Sequence, residues 1–181
     1  RCLHHHLLRI DNVAVTEPPV VWSARSYAAP APFPTELPGR WRAAAAYPHP
    51  SAVSDEWRFA AGAQPLQGRL VAAGEELDEA GSTAGIDRYD HRPTTGTRSS
   101  LSWGSGGPPN GLARDLRPDE SAGPTFTTDP LADAVSILGV PAVVLHLSVS
   151  APVATAVVRL TDVAPDGTSY QVSAGVLNLS H

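Results

Sequence analysis

"PAVVLHLSVSAPVATAVVRLTDVAPDGTSYQVSAGVLNLSH", residues 141–181, decides the fold. Its first ten residues alternate: Val143, Leu145, Leu147 and Val149 fall on one face and His146, Ser148 and Ser150 on the other. That period of two is the pattern of a half-buried strand. "TAVVRLTDV" follows as a second strand, Pro165-Asp166-Gly167 as a turn, and "SYQVS" and "GVLNLS" as further strands. Strands of this length, spaced by turns and with little helix, predict a β-sandwich or jelly roll. The last strand runs to the final residue, which predicts a sheet with an uncovered edge.

Working back from this stretch, the texture stays β with one polar interruption. Residues 1–12, "RCLHHHLLRIDN", predict a short helix with Leu3, Leu7 and Ile10 at helical spacing. After Pro18-Pro19, "VVWSARSY" (Val20 to Tyr27) reads as a strand. The proline-rich "APAPFPTELPG" then excludes both helix and central strand, because proline lacks the amide donor and fixes φ. "RWRAAAAY", "EWRFAA" and "GRLVAA" are short strand candidates between Pro and Gly signals. From about Gly74 to Pro124 the chain is polar and rich in Gly, Pro, Ser and Thr. This middle predicts a long surface excursion held down by Tyr89 and Trp103.

Composition narrows the function. The chain has 181 residues, enough for one well-cored domain or two small ones. Its net charge is -5 with no basic stripe, which argues against nucleic acid as a partner. No apolar run approaches the roughly 20 residues that cross a bilayer, and no signal peptide is visible. The single cysteine, Cys2, excludes an internal disulfide framework and a CxxC site. A cytoplasmic location is expected. All 13 basic residues are arginine, so a Walker A loop and a Schiff-base lysine are both excluded from this chain.

Several of these segments together resemble the C-terminal β domain of the CocE/NonD serine hydrolases, the cocaine-esterase and X-Pro dipeptidyl-peptidase family. The resemblance rests on Pro130-Leu131, "ILGVP", the "LHLSVSAP" segment, "RLTDVAPDG" and "GVLNLSH", in that order. Upstream, "RCLHHHLLRIDN" is similar to the family's "RWxDHWLKGxDN" helix, with Cys2, His6 and Leu8 departing from it. "EPPV" (Glu17 to Val20), "GRWR" (Gly39 to Arg42) and "RPDESAGPTFTTDPL" (Arg117 to Leu131) also have counterparts.

The resemblance implies an all-β fold, a jelly-roll or galactose-binding-like β-sandwich with a short N-terminal helix, truncated at both ends. Residues 1–16 would be the connecting helix from an α/β-hydrolase domain. Residues 17–181 would be the X-Pro dipeptidyl-peptidase-type domain, incomplete at its C-terminal end. It further implies a Ser-His-Asp triad outside this chain, with the serine on a Gly-x-Ser-x-Gly elbow. "GSTAG" (Gly81 to Gly85) has threonine at the serine's place, and "WGSGG" from Trp103 has the wrong spacing. No catalytic, cofactor-binding or metal residue is therefore assigned, and no cofactor is expected.

The remaining candidates have simpler readings. His4, His5 and His6 point in different directions around a helix and lack an HExxH companion, so packing or capping is predicted for them. His146 is a face residue of its strand. Asp162 and Asp166 could form a carboxylate pair, but Pro-Asp-Gly chemistry predicts a turn. Asn178-Leu179-Ser180 matches a glycosylation sequon within an expected core strand and is discounted. Trp22, Trp41, Trp57 and Trp103 could form a sugar-binding platform, although strand tryptophans more often pack.

The expectation is a C-terminal domain of an ester- or amide-cleaving hydrolase. It would shape the substrate cleft, support a catalytic domain in the same polypeptide, and contribute to homo-oligomer contacts. Its substrate would be a small ester or peptide, with neither nucleic acid nor membrane as partner. The alternatives are a non-catalytic carbohydrate- or ligand-binding jelly-roll module and a decayed gene fragment.

Overall fold

The computed structural model describes residues 2–12, 16–76, 87–99 and 111–180. The chain forms two compact units, one of residues 1–27, 37–53 and 136–139, the other of residues 28–36, 54–135 and 140–181. Strand, turn and irregular chain dominate both, the all-β class expected from the sequence.

The first unit begins with the expected helix, α1 (Cys2–Leu8). Its end is closed by a bond from Ile10 N to His4 O at 3.1 Å, with Arg9 at φ 54°. A left-handed residue just past the last turn is a common helix stop, with arginine here where glycine is preferred. Leu3, Leu7 and Ile10 are all exposed. Strands β1 (Val20–Arg25) and β2 (Gly39–Ala44) form an antiparallel pair with Trp22 opposite Arg42 and Ser23 opposite Trp41. Val20, Trp22 and Ala24 are half-buried, whereas Val21 and Trp41 lie on the exposed face.

The second unit contains a three-stranded sheet of β3 (Trp57–Gln64), β4 (Gln67–Ala72) and β5 (Thr125–Thr127), with β4 central. β3 and β4 are antiparallel, and β5 joins β4 in parallel. Ala60 and Val71 are buried, and Phe59 meets Phe126 with ring centres 4.6 Å apart. Gly68 is required at this contact, because a Cβ there would run into the Phe126 ring.

The β3–β4 turn is Pro65-Leu66, and Leu66 adopts φ 64°. Left-handed backbone costs an L side chain about 1–2 kcal/mol. Leu66→Gly should therefore raise the unfolding free energy by about 1 kcal/mol, read from the urea midpoint, less what glycine adds to unfolded-state entropy.

A short helix, α2 (Arg117–Glu120), precedes β5 in the chain, and the long hairpin of β6 (Thr155–Val163) and β7 (Ser169–Asn178) closes the unit. Its turn bears out the Pro-Asp-Gly reading. Gly167 N donates to Ala164 O at 2.8 Å, Gly167 takes φ 82°, and Thr168 O accepts from Ala164 N at 2.9 Å. Asp166 accepts from Thr168 N at 2.8 Å, and Asp162 stands in the ladder opposite Tyr170. The hairpin is a type I turn with a left-handed glycine bulge. Farther along, Val172 is an extra residue where the register slips between Leu160 and Thr161.

Four expectations are corrected. Residues 141–149 form no strand, and every one of them is exposed. Alternation states which side of a strand would be apolar, but it does not bring that segment onto a neighbouring edge. The β6–β7 sheet has only those two strands. "SYQVS" and "GVLNLS" are a single strand, β7, because the bulge at Val172 absorbs the break in pattern. Asn178, expected within a core strand, is exposed at the end of β7. The polar middle is not all surface: its segment 111–121 contains Leu116, which is fully buried.

Candidate functional site

The densest polar chemistry among the described residues lies where α2 meets the start of β7. The local sequence is "RDLRPDES", residues 114–121. Pro118 stands in the first turn of α2, where its missing N–H costs nothing. Leu116 O accepts from Asp119 N at 3.0 Å and Glu120 N at 2.9 Å, while Leu116 N donates to Ser169 O at 3.1 Å. This fixes four acidic or hydroxyl side chains around one apolar pivot.

Asp119 is buried, and three backbone amides converge on its carboxylate. Gly96 N (3.0 Å) and Arg98 N (3.4 Å) donate to Oδ1, and Ser99 N (2.7 Å) donates to Oδ2. Gly96 takes φ 89°, which curls the loop around the acid. Asp115 lies on the other side of Leu116. Its Oδ2 accepts from Arg117 Nε at 2.8 Å, and its Oδ1 accepts from Arg117 N and Ser169 N, each at 3.2 Å. Ser169 Oγ donates to Glu120 Oε1 at 2.6 Å, and Ser99 Oγ donates to Asp115 O at 2.9 Å. The result ties loop 96–99, α2 and β7 together.

The charges follow this geometry. The Arg117 side chain, assisted by the Ser169 and Arg117 amides, outweighs burial and lowers the Asp115 carboxyl to about 2. Burial pushes the Asp119 carboxyl up, but the hydrogen bonds from Ser99, Gly96 and Arg98 together exceed it and hold the acid below its ordinary range. The Thr168 amide and hydroxyl lower Asp166 in the same way.

A group whose folded pKa lies below its unfolded value of about 3.9 adds its full stability only where it is ionised in both states. That contribution is complete above about pH 5 and is lost as pH falls through the folded values, Asp115 last at about 2. Urea midpoints should therefore be insensitive to these groups near neutrality and fall steadily between about pH 4 and pH 2.

Chemically, this cluster is a clamp rather than a nucleophilic centre. The protons of Ser99 and Ser169 go to a carbonyl and a carboxylate, and no histidine hydrogen-bonds to either hydroxyl among the described residues. One Ser–His pair that the sequence did not suggest lies elsewhere. Ser51 Oγ is 2.9 Å from His49 Nδ1, and the Trp22 ring packs edge-on to His49 at 5.9 Å. Ser51 N also faces that nitrogen at 3.2 Å, and no carboxylate bonds to His49 among the described residues. The geometry is that of a side-chain-closed turn.

The sequence candidates are scattered. His4, His5 and His6 lie on α1, and no group of three metal-ligating side chains forms among the described residues. His146 is exposed on the non-strand segment. Trp41 and Trp57, expected to pack, are 76% and 42% exposed. Gly81 to Gly85 and Trp103, with the "WGSGG" motif, lie outside the described residues. The clamp was missed because Asp, Glu and Ser in a Pro-containing segment read as ordinary loop composition. The signal that could have found it is an acid placed just after Leu-Arg-Pro, the start of a helix.

A family model described as the X-Pro dipeptidyl-peptidase C-terminal non-catalytic domain matches residues 12–181. The chain belongs to this family. The resemblance carried by the C-terminal motifs thus extends over almost the whole sequence, clamp included. An X-Pro dipeptidyl-peptidase C-terminal domain is a non-catalytic part of a hydrolase, with a catalytic domain in the same polypeptide. No curated protein and no solved structure matches the chain. Among the described residues of this family member, no helix is long and apolar enough to cross a membrane.

Proposed function

We propose that this domain packs against an α/β-hydrolase domain of its own polypeptide and forms one wall of the cleft that holds an ester or peptide substrate. Residues 1–16 serve as the connection and residues 17–181 as the supporting domain. The parent reaction is acyl transfer through a serine carried by the other domain. This chain contributes no catalytic residue and needs no metal or organic cofactor, and the protein works in the cytoplasm, with contacts between copies.

The observation that supports this reading is an apolar row left open in the same unit as the clamp. Val140 is 87% and Val144 is 80% exposed, with Val143, Leu145, Leu147 and Val149 also exposed around them. A contiguous apolar stretch of this kind marks an interaction surface.

The test is made on the full-length protein and on this chain in parallel. Val140→Asp with Val144→Asp should leave the chain's own unfolding midpoint unchanged, because both side chains are already in water. In the full-length protein the same pair should lower the unfolding midpoint and reduce kcat/KM at least tenfold. Unchanged stability and activity there would refute the role. So would ester turnover by this chain alone that a single Ser→Ala change abolishes.

A second reading has one observation behind it. Trp41 exposes its ring on the open face of the β1–β2 pair, as a sugar-binding aromatic would. Retardation in polysaccharide gels, lost on Trp41→Ala, would favour a binding module; unretarded migration would remove it.

A further inference from the structure

The clamp has an outer face that plays no part in the packing proposed above. Between loop 92–98 and α2 there is a cleft of about 160 Å³, and Arg92, Arg98, Thr94, Thr95 and Ser121 line it together with Asp119. The one acid in this lining is already satisfied, since Gly96, Arg98 and Ser99 direct their amides at Asp119. The other acids of the clamp are engaged elsewhere, Asp115 with Arg117 and Glu120 with Ser169.

The side chains of Arg92 and Arg98, by contrast, meet no carboxylate among the described residues. Both belong to one short loop, so their like charges are held together without a counter-ion there. The loop's hydroxyls add donors. Thr95 Oγ1 accepts from Tyr89 at 3.3 Å, which leaves its own proton to give, and the Thr94 hydroxyl has no partner among the described residues. Two guanidinium groups and two hydroxyl donors around a small polar cleft match the acceptor-only surface of a tetrahedral oxyanion.

We infer that the cleft between loop 92–98 and α2 binds a small oxyanion, phosphate either free or as the monoester group of a larger molecule. The site is independent of the proposed packing against a catalytic domain, because it shares no residue with the 140–149 row. Binding there engages the arginines and hydroxyls of loop 92–98 as the fold places them, so the ligand favours the folded state and raises its stability by mass action.

The test uses the intact chain and sodium phosphate, with sodium chloride at matched ionic strength as the reference. Phosphate should raise the thermal unfolding midpoint saturably above the chloride value, and calorimetric titration should show one site per chain. Arg92→Gln with Arg98→Gln should cut the phosphate affinity at least tenfold. In the absence of phosphate that double variant should unfold no lower than the wild type, because neither side chain gives up a carboxylate partner among the described residues and their mutual repulsion is removed. A hexose phosphate arm separates the sources: binding at least as tight as phosphate assigns the site to a monoester, and weaker binding assigns it to the free ion.

An equal rise with chloride, a phosphate effect that survives in the double variant, or no saturable binding to the wild-type chain would each overturn the assignment. Should the double variant fail to fold, phosphate-induced amide shifts in the wild type decide instead. Shifts confined to residues 92–98 and 118–122 support the site, and shifts elsewhere refute it.

Discussion

Leu116→Ala should lower the unfolding free energy of the chain by about 3 kcal/mol, within the range of about 2–5 kcal/mol for large-to-small changes at buried leucine. Leu116 is the only large apolar side chain that is fully buried among the described residues; the other buried hydrophobics there are Ala60 and Val71. Removing its terminal carbons gives up their transfer free energy and leaves a cavity that cannot collapse freely. The backbone on both sides is tied, by Leu116 N to Ser169 O and by Leu116 O to Asp119 N and Glu120 N, so the walls cannot close in. The loss should appear as a lower urea midpoint with an unchanged slope. A loss under about 1 kcal/mol would mean that Leu116 sits in a site that relaxes, and that the clamp does not depend on it.

This residue also shows where sequence reasoning stopped. The β6–β7 hairpin was legible because Pro165-Asp166-Gly167 encodes its turn locally: Gly167 takes the left-handed backbone and Asp166 bonds to the Thr168 amide within two residues. The α1 helix and the strands through Trp22, Trp41 and Trp57 were legible for the same reason, since spacing and Pro or Gly punctuation are local signals. Residues 141–149 carry an equally clear alternation, and it misled, because pairing is a non-local property that no period of two can guarantee.

Leu116 lies in a stretch whose average composition is that of a loop, and one leucine among polar neighbours gives no periodicity to detect. Its surroundings are brought together from far along the chain: Ser169 bonds to its backbone N–H and Ser99 to the carbonyl of Asp115 beside it, 70 residues apart in sequence. The family could be recognised nonetheless, since family motifs record such non-local contacts even where their physical meaning is not visible. "RPDES" carries the resemblance as a string of letters, and only the fold gives its carboxylates their amide partners.

Asp119→Ala should cost about as much as the leucine change, roughly 3 kcal/mol, by a different route. The substitution leaves the Gly96, Arg98 and Ser99 amides facing a methyl group in a buried setting. Each stranded donor costs about 1–3 kcal/mol, and the total stays near the lower end because an opened loop lets water reach part of the deficit. Hydrogen exchange should report this selectively. The amides of Gly96, Arg98 and Ser99 lose protection, while those paired in β3 and β4 exchange as before, since they belong to a separate ladder.

Asp119→Asn separates charge from hydrogen bonding. It keeps one acceptor oxygen, so it should fall between wild type and alanine at pH 7. It cannot titrate, so part of the acid-induced loss between about pH 4 and pH 2 should vanish with it. The sign is fixed by the lowered carboxyl: the wild type's advantage over Asn must shrink as pH falls through that range. An advantage that grew on acidification would require a raised carboxyl, with burial dominating the three amides. That result would show the acid to be protonated when folded, and the loop around it would then be held by a neutral group.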